Sequence, residues 1–187
     1  MSHISVLLHE TVDALLADRN TGIYIDGTFG RGGHSRLLLA KLDENSRVYA
    51  FDKDPQALAT GAELEQKDPR FKIIHASFAD LQIVLQQHGI EQVDGIMADL
   101  GVSSPQLDQA ERGFSFMNSG PLDMRMDNSQ GQTAAEWLME VDETHLANVI
   151  FQYGEERYSR RIAKDIKNAG YMATTAELAE VVKVAHP

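Results

Sequence analysis

The spacing of apolar residues changes character near position 100. Before it, short runs rich in β-branched and aromatic residues alternate with segments of helical spacing. Ile23-Tyr24-Ile25, Arg47-Val48-Tyr49-Ala50-Phe51-Asp52, Phe71-Lys72-Ile73-Ile74-His75 and the run 93–100 predict four strands. Helical spacing covers residues 10–17, 35–42, 56–66 and 79–88, and this alternation predicts an α/β fold with a parallel sheet. Asp54 before Pro55 supplies a cap and a first-turn proline for the third helix. Beyond Leu100 no strand pattern recurs. A stretch rich in Gly, Ser, Pro and Asp runs to about residue 132, and helical segments follow. Thr133-Ala134-Ala135-Glu136 and Thr174-Thr175-Ala176-Glu177 both read as capping boxes. The expected organisation is a sheet domain over 1–107 and a helical domain over 108–187, without internal repeats.

The first strand empties into Asp26-Gly27-Thr28-Phe29-Gly30-Arg31-Gly32-Gly33-His34. Glycine backbone takes positive φ and comes close to a ligand, and a helix opening near His34 presents unpaired N–H groups. The spacing is not Gly-x-Gly-x-x-Gly, so the dinucleotide fingerprint fits poorly. A tight strand-to-helix turn would have the same composition. Asp52 ends the second strand 26 positions after Asp26, near the spacing at which α/β sites place a carboxylate on ribose hydroxyls. The third strand leads into Ala76-Ser77-Phe78 and the fourth ends on Asp99. Each strand thus delivers a polar or aromatic group at its carboxyl end, where open parallel sheets bind ligands.

The 187 residues, 43% hydrophobic, suit a globular α/β protein. No apolar stretch approaches the roughly 18 residues that cross a bilayer, and the N-terminus lacks the basic region and apolar core of a secretory signal. A cytoplasmic protein without membrane contact is expected. The absence of cysteine excludes disulfides and thiolate metal sites. His9-Glu10-Thr11-Val12-Asp13 lacks the second histidine of a zinc helix, and the other histidines have no ligand spacing, so no metal is expected. A Walker loop is missing, and Ser103 and Ser104 lack a glycine elbow.

The net charge of −11 opposes nucleic acid at long range. It is uneven, because residues 151–187 carry six basic and five acidic side chains. Arg157, Arg160, Arg161 and Lys164 recur at helical spacing and share one face, which reads equally as an RNA contact or as a solvated face pairing with Glu155 and Glu156. In the loop 113–127, Phe114 and Phe116 are expected to pack in a small core, and Arg125 is the candidate for RNA contact.

Five strings then carry a resemblance. Asp26-Gly27-Thr28-Phe29-Gly30-Arg31-Gly32-Gly33-His34-Ser35, Asp99-Leu100-Gly101-Val102-Ser103-Ser104-Pro105-Gln106-Leu107-Asp108, Glu111-Arg112-Gly113-Phe114-Ser115-Phe116, Gly120-Pro121-Leu122-Asp123-Met124-Arg125-Met126-Asp127 and Tyr153-Gly154-Glu155-Glu156-Arg157 closely resemble the bacterial ribosomal small-subunit methyltransferase H family, also called MraW. The resemblance spans nearly the whole chain. It implies a Rossmann-like class I methyltransferase sheet with a helical insert for RNA recognition, and S-adenosyl-L-methionine as cofactor. The implied reaction is N4-methylation of a decoding-region cytosine in 16S rRNA of the small ribosomal subunit. Carried residue by residue, it places the methyl donor on Gly32, Gly33 and His34, with Asp52 at the ribose and Phe78 near the adenine. Asp99 and Gln106 close the site.

Asp99 is also the catalytic candidate, although the turn reads Asp99-Leu100-Gly101-Val102 where amino methyltransferases often carry Asp/Asn-Pro-Pro-aromatic. Carbon-5 methylation through a cysteine adduct is excluded by composition. The 16S rRNA and the small subunit are the implied partners, and a homodimer is one assembly open to the chain. Family members run further beyond the point matching His186-Pro187, and that part supplies the remaining strands. About four strands, ordered 3-2-1-4, are therefore expected here, with weak cofactor binding and impaired turnover. The alternatives are an inactive cofactor- or RNA-binding fragment and an NAD-dependent oxidoreductase on the same sheet topology.

Overall fold

The computed structural model describes residues 6–186. Contacts divide the chain into two compact units, 1–101 and 102–187, ahead of the boundary expected at 107. The first unit contains α1 (Leu8–Leu16), β1 (Ile23–Asp26), α2 (Gly33–Lys41), β2 (Arg47–Asp52), α3 (Pro55–Lys67) and β3 (Phe71–His75). A 3-10 turn at Phe78–Asp80, α4 (Leu81–Gln87) and β4 (Gly95–Met97) complete it.

All pairings are parallel and the strand order is β3-β2-β1-β4, the expected order. Asp26 is level with Ala50 and Met97, and Asp52 with His75, so the carboxyl ends lie in register. Successive residues of β1 and β2 face opposite layers. Tyr24, Val48 and Ala50 pack with Val12, Leu38, Leu39 and Met97, whereas Ile25 and Phe51 pack with Leu85 and Ile90. Both faces are thus covered, which is why these strands read as continuous apolar runs.

β4 is shorter than the expected 93–100. Its ladder with β1 ends where β1 ends, at Asp26 and Met97. Asp94 instead clasps the start of β1, accepting from the Ile23 N–H at 2.8 Å and donating its own N–H to the Ile23 carbonyl at 2.8 Å.

The second unit contains α5 (Ser104–Asp108), a 3-10 turn at Ala110–Arg112, α6 (Ala134–Glu140), α7 (Glu143–Gly154), α8 (Ser159–Ala169) and α9 (Thr175–Ala185). Both expected capping boxes are present. α5 falls in a stretch read as loop. Ser103 and Gln106 form a third capping box there, with proline in the first turn, and it packs with the 3-10 turn that follows. Leu146, Ala147, Ile162, Ala163, Ile166 and Met172 form the centre of this unit. Residues 120–124 tie it together: Thr175 N–H donates to Gly120 O, Leu122 N–H to Ala173 O, and Ala135 N–H to Leu122 O.

Gly61 gives a test of the α3–β3 packing. A Cβ there would lie 2.6 Å from Cγ1 of Ile73. Alanine in a helix gains about 1 kcal/mol over glycine, but overpacking costs about 1–3 kcal/mol. Gly61→Ala is therefore expected to lower the denaturation midpoint despite the better helix former, and the Gly61→Ala, Ile73→Ala pair to show less than the summed loss. A stabilised single variant in urea melts would contradict this packing.

Candidate functional site

The loop after β1 is built on carboxylates rather than on glycine alone. Asp26 is 3% exposed. Its Oδ2 accepts from the Ser35 hydroxyl at 2.7 Å and its Oδ1 from the Thr28 N–H at 3.1 Å. Burial pushes the Asp26 carboxyl above the usual range, opposed by these two donors. Thr28 passes the connection on, its Oγ1 accepting from the Asp99 N–H at 2.6 Å. The Gly27 N–H donates to Met97 O at 2.8 Å. β1, the loop, α2 and the end of β4 thus share one polar network.

Asp52 does the same from β2. Its Oδ2 accepts from the Gly30 N–H at 2.7 Å and its Oδ1 from the Asp54 N–H at 2.9 Å. Asp54, in turn, caps α3 through the Gln56 N–H, the division of labour that the Asp-x-Asp-Pro order implies.

Gly32 shows why the loop needs glycine. Its φ is +75°, and a Cβ would lie 2.5 Å from the Phe29 ring. An ideal Cβ at Gly27 would approach Phe78 Cβ to 3.4 Å, so Phe78 borders the loop with its ring half-exposed. His34, in the first turn of α2, is buried, and its Nε2 has no hydrogen-bond partner among the described residues. Gly32, Gly33, His34, Asp52, Phe78 and Asp99 therefore gather at the carboxyl ends of the strands. The cradle that a Cβ would fill, the ribose-spaced acid and the unmet imidazole nitrogen suit a nucleoside-bearing cofactor.

The MraW methylase family matches residues 1–187. The chain belongs to this family. It is 76% identical over all 187 residues to ribosomal RNA small subunit methyltransferase H of Acinetobacter baylyi and spans 62% of that protein's length. A protein of the same name from a Psychrobacter species is 55% identical over 194 residues, with 57% of its length covered. Among solved structures, an rRNA methylase of Streptococcus thermophilus is 24% identical with a TM-score of 0.39, covering 56% of this chain and 60% of that one.

The remaining candidates of this MraW-family chain lie in the second unit. Gln106 is buried there, and its Oε1 accepts from the Ser103 N–H at 2.9 Å. Arg125, the candidate RNA contact, is committed to its own loop. It grips Asp123 with two hydrogen bonds, at 2.9 and 2.6 Å, and donates to Gln130 O and Gly131 O. Phe116 is 70% exposed, not packed in a small core as expected, because the loop is held by arginine instead. Arg112 is buried and donates to Arg125 O and Met126 O. The spacing of Arg157 suggested a helix, yet it lies in the turn before α8, with its guanidinium 4.6 Å from the Tyr158 ring centre. A cavity of about 590 Å³ in this unit is lined largely by apolar side chains, including Trp137, Ile150, Leu178 and Val182.

Sequence reasoning missed Ser35 and Thr28, and used Asp26 only as a landmark. An acid at a strand end followed by hydroxyls at +2 and +9 was the available signal. Among the described residues, no cluster of three metal-ligating side chains occurs and no helix is long and apolar enough to cross a membrane.

The Asp123–Arg125 clamp has a pH signature. The Arg125 guanidinium holds the Asp123 carboxyl below its usual value of 3.8. A depressed folded-state value stabilises above the unfolded one and is lost as pH falls through the folded one. Asp123→Asn is expected to lower the melting temperature at pH 7, with the gap from wild type beginning to close near pH 3.8. Thermal melts from pH 7 to 3 read this, and a gap independent of pH would reject the clamp.

Proposed function

We propose that the chain carries the cofactor site and the RNA-facing unit of an enzyme that methylates N4 of a decoding-region cytosine in 16S rRNA. The observation that carries this reading is the cradle at the strand ends, where the family's glycine loop, Asp52 and Asp99 meet through hydrogen bonds. When bound, S-adenosyl-L-methionine supplies a methyl group on a cationic sulfur that leaves as a neutral thioether. Gly32, Gly33 and His34 take the donor, Asp52 its ribose hydroxyls and Phe78 its adenine.

A cytosine amine is weakly nucleophilic because its lone pair is delocalised into the ring. The chain's contribution is alignment and charge placement. The exposed Asp99 carboxylate, its backbone anchored on Thr28, accepts a hydrogen bond from the amine and receives its proton. A base must leave its stack to reach such a strand end. The relatives named rRNA small subunit methyltransferase H support 16S rRNA as the substrate of the whole protein.

Calorimetric titration tests this. The 187-residue chain is expected to bind S-adenosyl-L-methionine and not NAD. Asp52→Ala should bind at least ~10-fold more weakly, because losing a charged hydrogen bond costs about 1.5–3 kcal/mol. Transfer of labelled methyl to small subunits by a full-length relative, abolished by the equivalent Asp99→Ala change, checks the chemistry. Binding of NAD in preference would overturn the reading.

A further inference from the structure

α8 carries two opposed faces. Ser159, Ile162, Ala163 and Ile166 are buried, while Arg160, Arg161 and Lys164 are exposed. Arg157 extends the basic set into the turn before the helix, stacked on Tyr158. Among the described residues, none of these four cations forms an ion pair or a side-chain hydrogen bond. The nearby Glu156 carboxylate accepts from the Tyr158 N–H at 2.7 Å and lies 3.9 Å from His186 Nε2.

Lys167 shows the alternative fate of a cation on this helix. Its Nζ donates to Leu138 O at 2.8 Å and Met139 O at 3.0 Å, serving the end of α6. Among the described residues Arg160, Arg161 and Lys164 make no such bond and Arg157 only stacks on Tyr158, although the chain carries 28 acidic residues against 17 basic ones. Acids do stand at helical spacing, Glu156 four before Arg160 and Asp165 four after Arg161, yet neither is joined to these cations by an ion pair among the described residues. α7, which packs along α8, ends with Phe151 exposed and Tyr153 83% exposed. Exposed cations outside any ion pair on one helix and exposed aromatic rings on the helix packed along it match the needs of a single-stranded nucleic acid, phosphates on the charges and a base on a ring.

We infer that the α7–α8 hairpin is the surface on which the second unit holds RNA. Arg157, Arg160, Arg161 and Lys164 take successive phosphates, and Tyr153 stacks on an unpaired base. This rests on the RNA-methylation reading above and adds where the strand is gripped.

The test is fluorescence anisotropy of the 187-residue chain with a labelled single-stranded RNA of about 20 nucleotides, in 50–200 mM KCl. Each phosphate contact contributes about 0.7 to the salt slope on single strands. Replacing Arg157, Arg160, Arg161 and Lys164 by Gln is expected to cut the slope by about 3 and the affinity at ~100 mM salt by at least ~10-fold. Arg160→Lys with Arg161→Lys should retain most binding. Tyr153→Ala should weaken binding with the slope unchanged, and Tyr153→Phe should restore it. Arg47→Gln with Lys72→Gln removes charge from the sheet unit and should have little effect. Circular dichroism confirms that the variants fold. If wild type binds RNA and the folded fourfold variant binds equally, the surface assignment fails while the methylation reading stands. If wild type binds anionic phosphatidylglycerol vesicles but no RNA, both fail.

Discussion

A buried carboxylate organises the ligand end of the sheet. Asp26 leaves water almost completely, which disfavours its charged form. The hydroxyl of Ser35 and the N–H of Thr28 offset that cost. Because one donor comes from α2 and the other from the loop, Asp26 ties both to the end of β1. Thr28 then anchors the backbone of Asp99. A loop that would otherwise be a flexible glycine run becomes a fixed cradle, with Asp52 holding its midpoint through Gly30.

The second unit solves a different problem. Between α5 and α6 the chain forms no strand ladder among the described residues, and two arginines bridge its turns instead. Arg112 reaches the carbonyls of residues 125 and 126, and Arg125 those of residues 130 and 131. The planar guanidinium suits this task because it presents several donors in a rigid fork. The arginines of this unit thus divide into two kinds: those in the loop are consumed by the fold, and those at and before α8 point away from it.

Much of the fold was legible because its signals are local. β2 and β3 appear with the expected bounds, since β-branched and aromatic residues cluster in each between turn signals. The boxes at Thr133 and Thr174 were readable because cap and acceptor lie three residues apart. The same device at Ser103 escaped notice, because serine, glycine and proline around it also spell a loop. Arg157 shows the opposite error, since helical spacing alone cannot say where a helix starts. Phe116 does not pack as expected, because the loop is held by hydrogen bonds of Arg112 and Arg125 to carbonyls several residues away.

Local sequence determined the alternation of strands and helices, the caps, the glycine loop and the acids at the strand ends. These depend on backbone preference and on hydrophobic period, which act over a few residues. Tertiary structure decided which of those groups remain available. It buried Asp26 behind Ser35, set Thr28 against Asp99, spent Lys167 on the end of α6, and left Arg160, Arg161 and Lys164 outside any ion pair among the described residues. Hydrogen bonding and charge neutralisation are settled between residues distant in sequence, so only the folded chain distributes them.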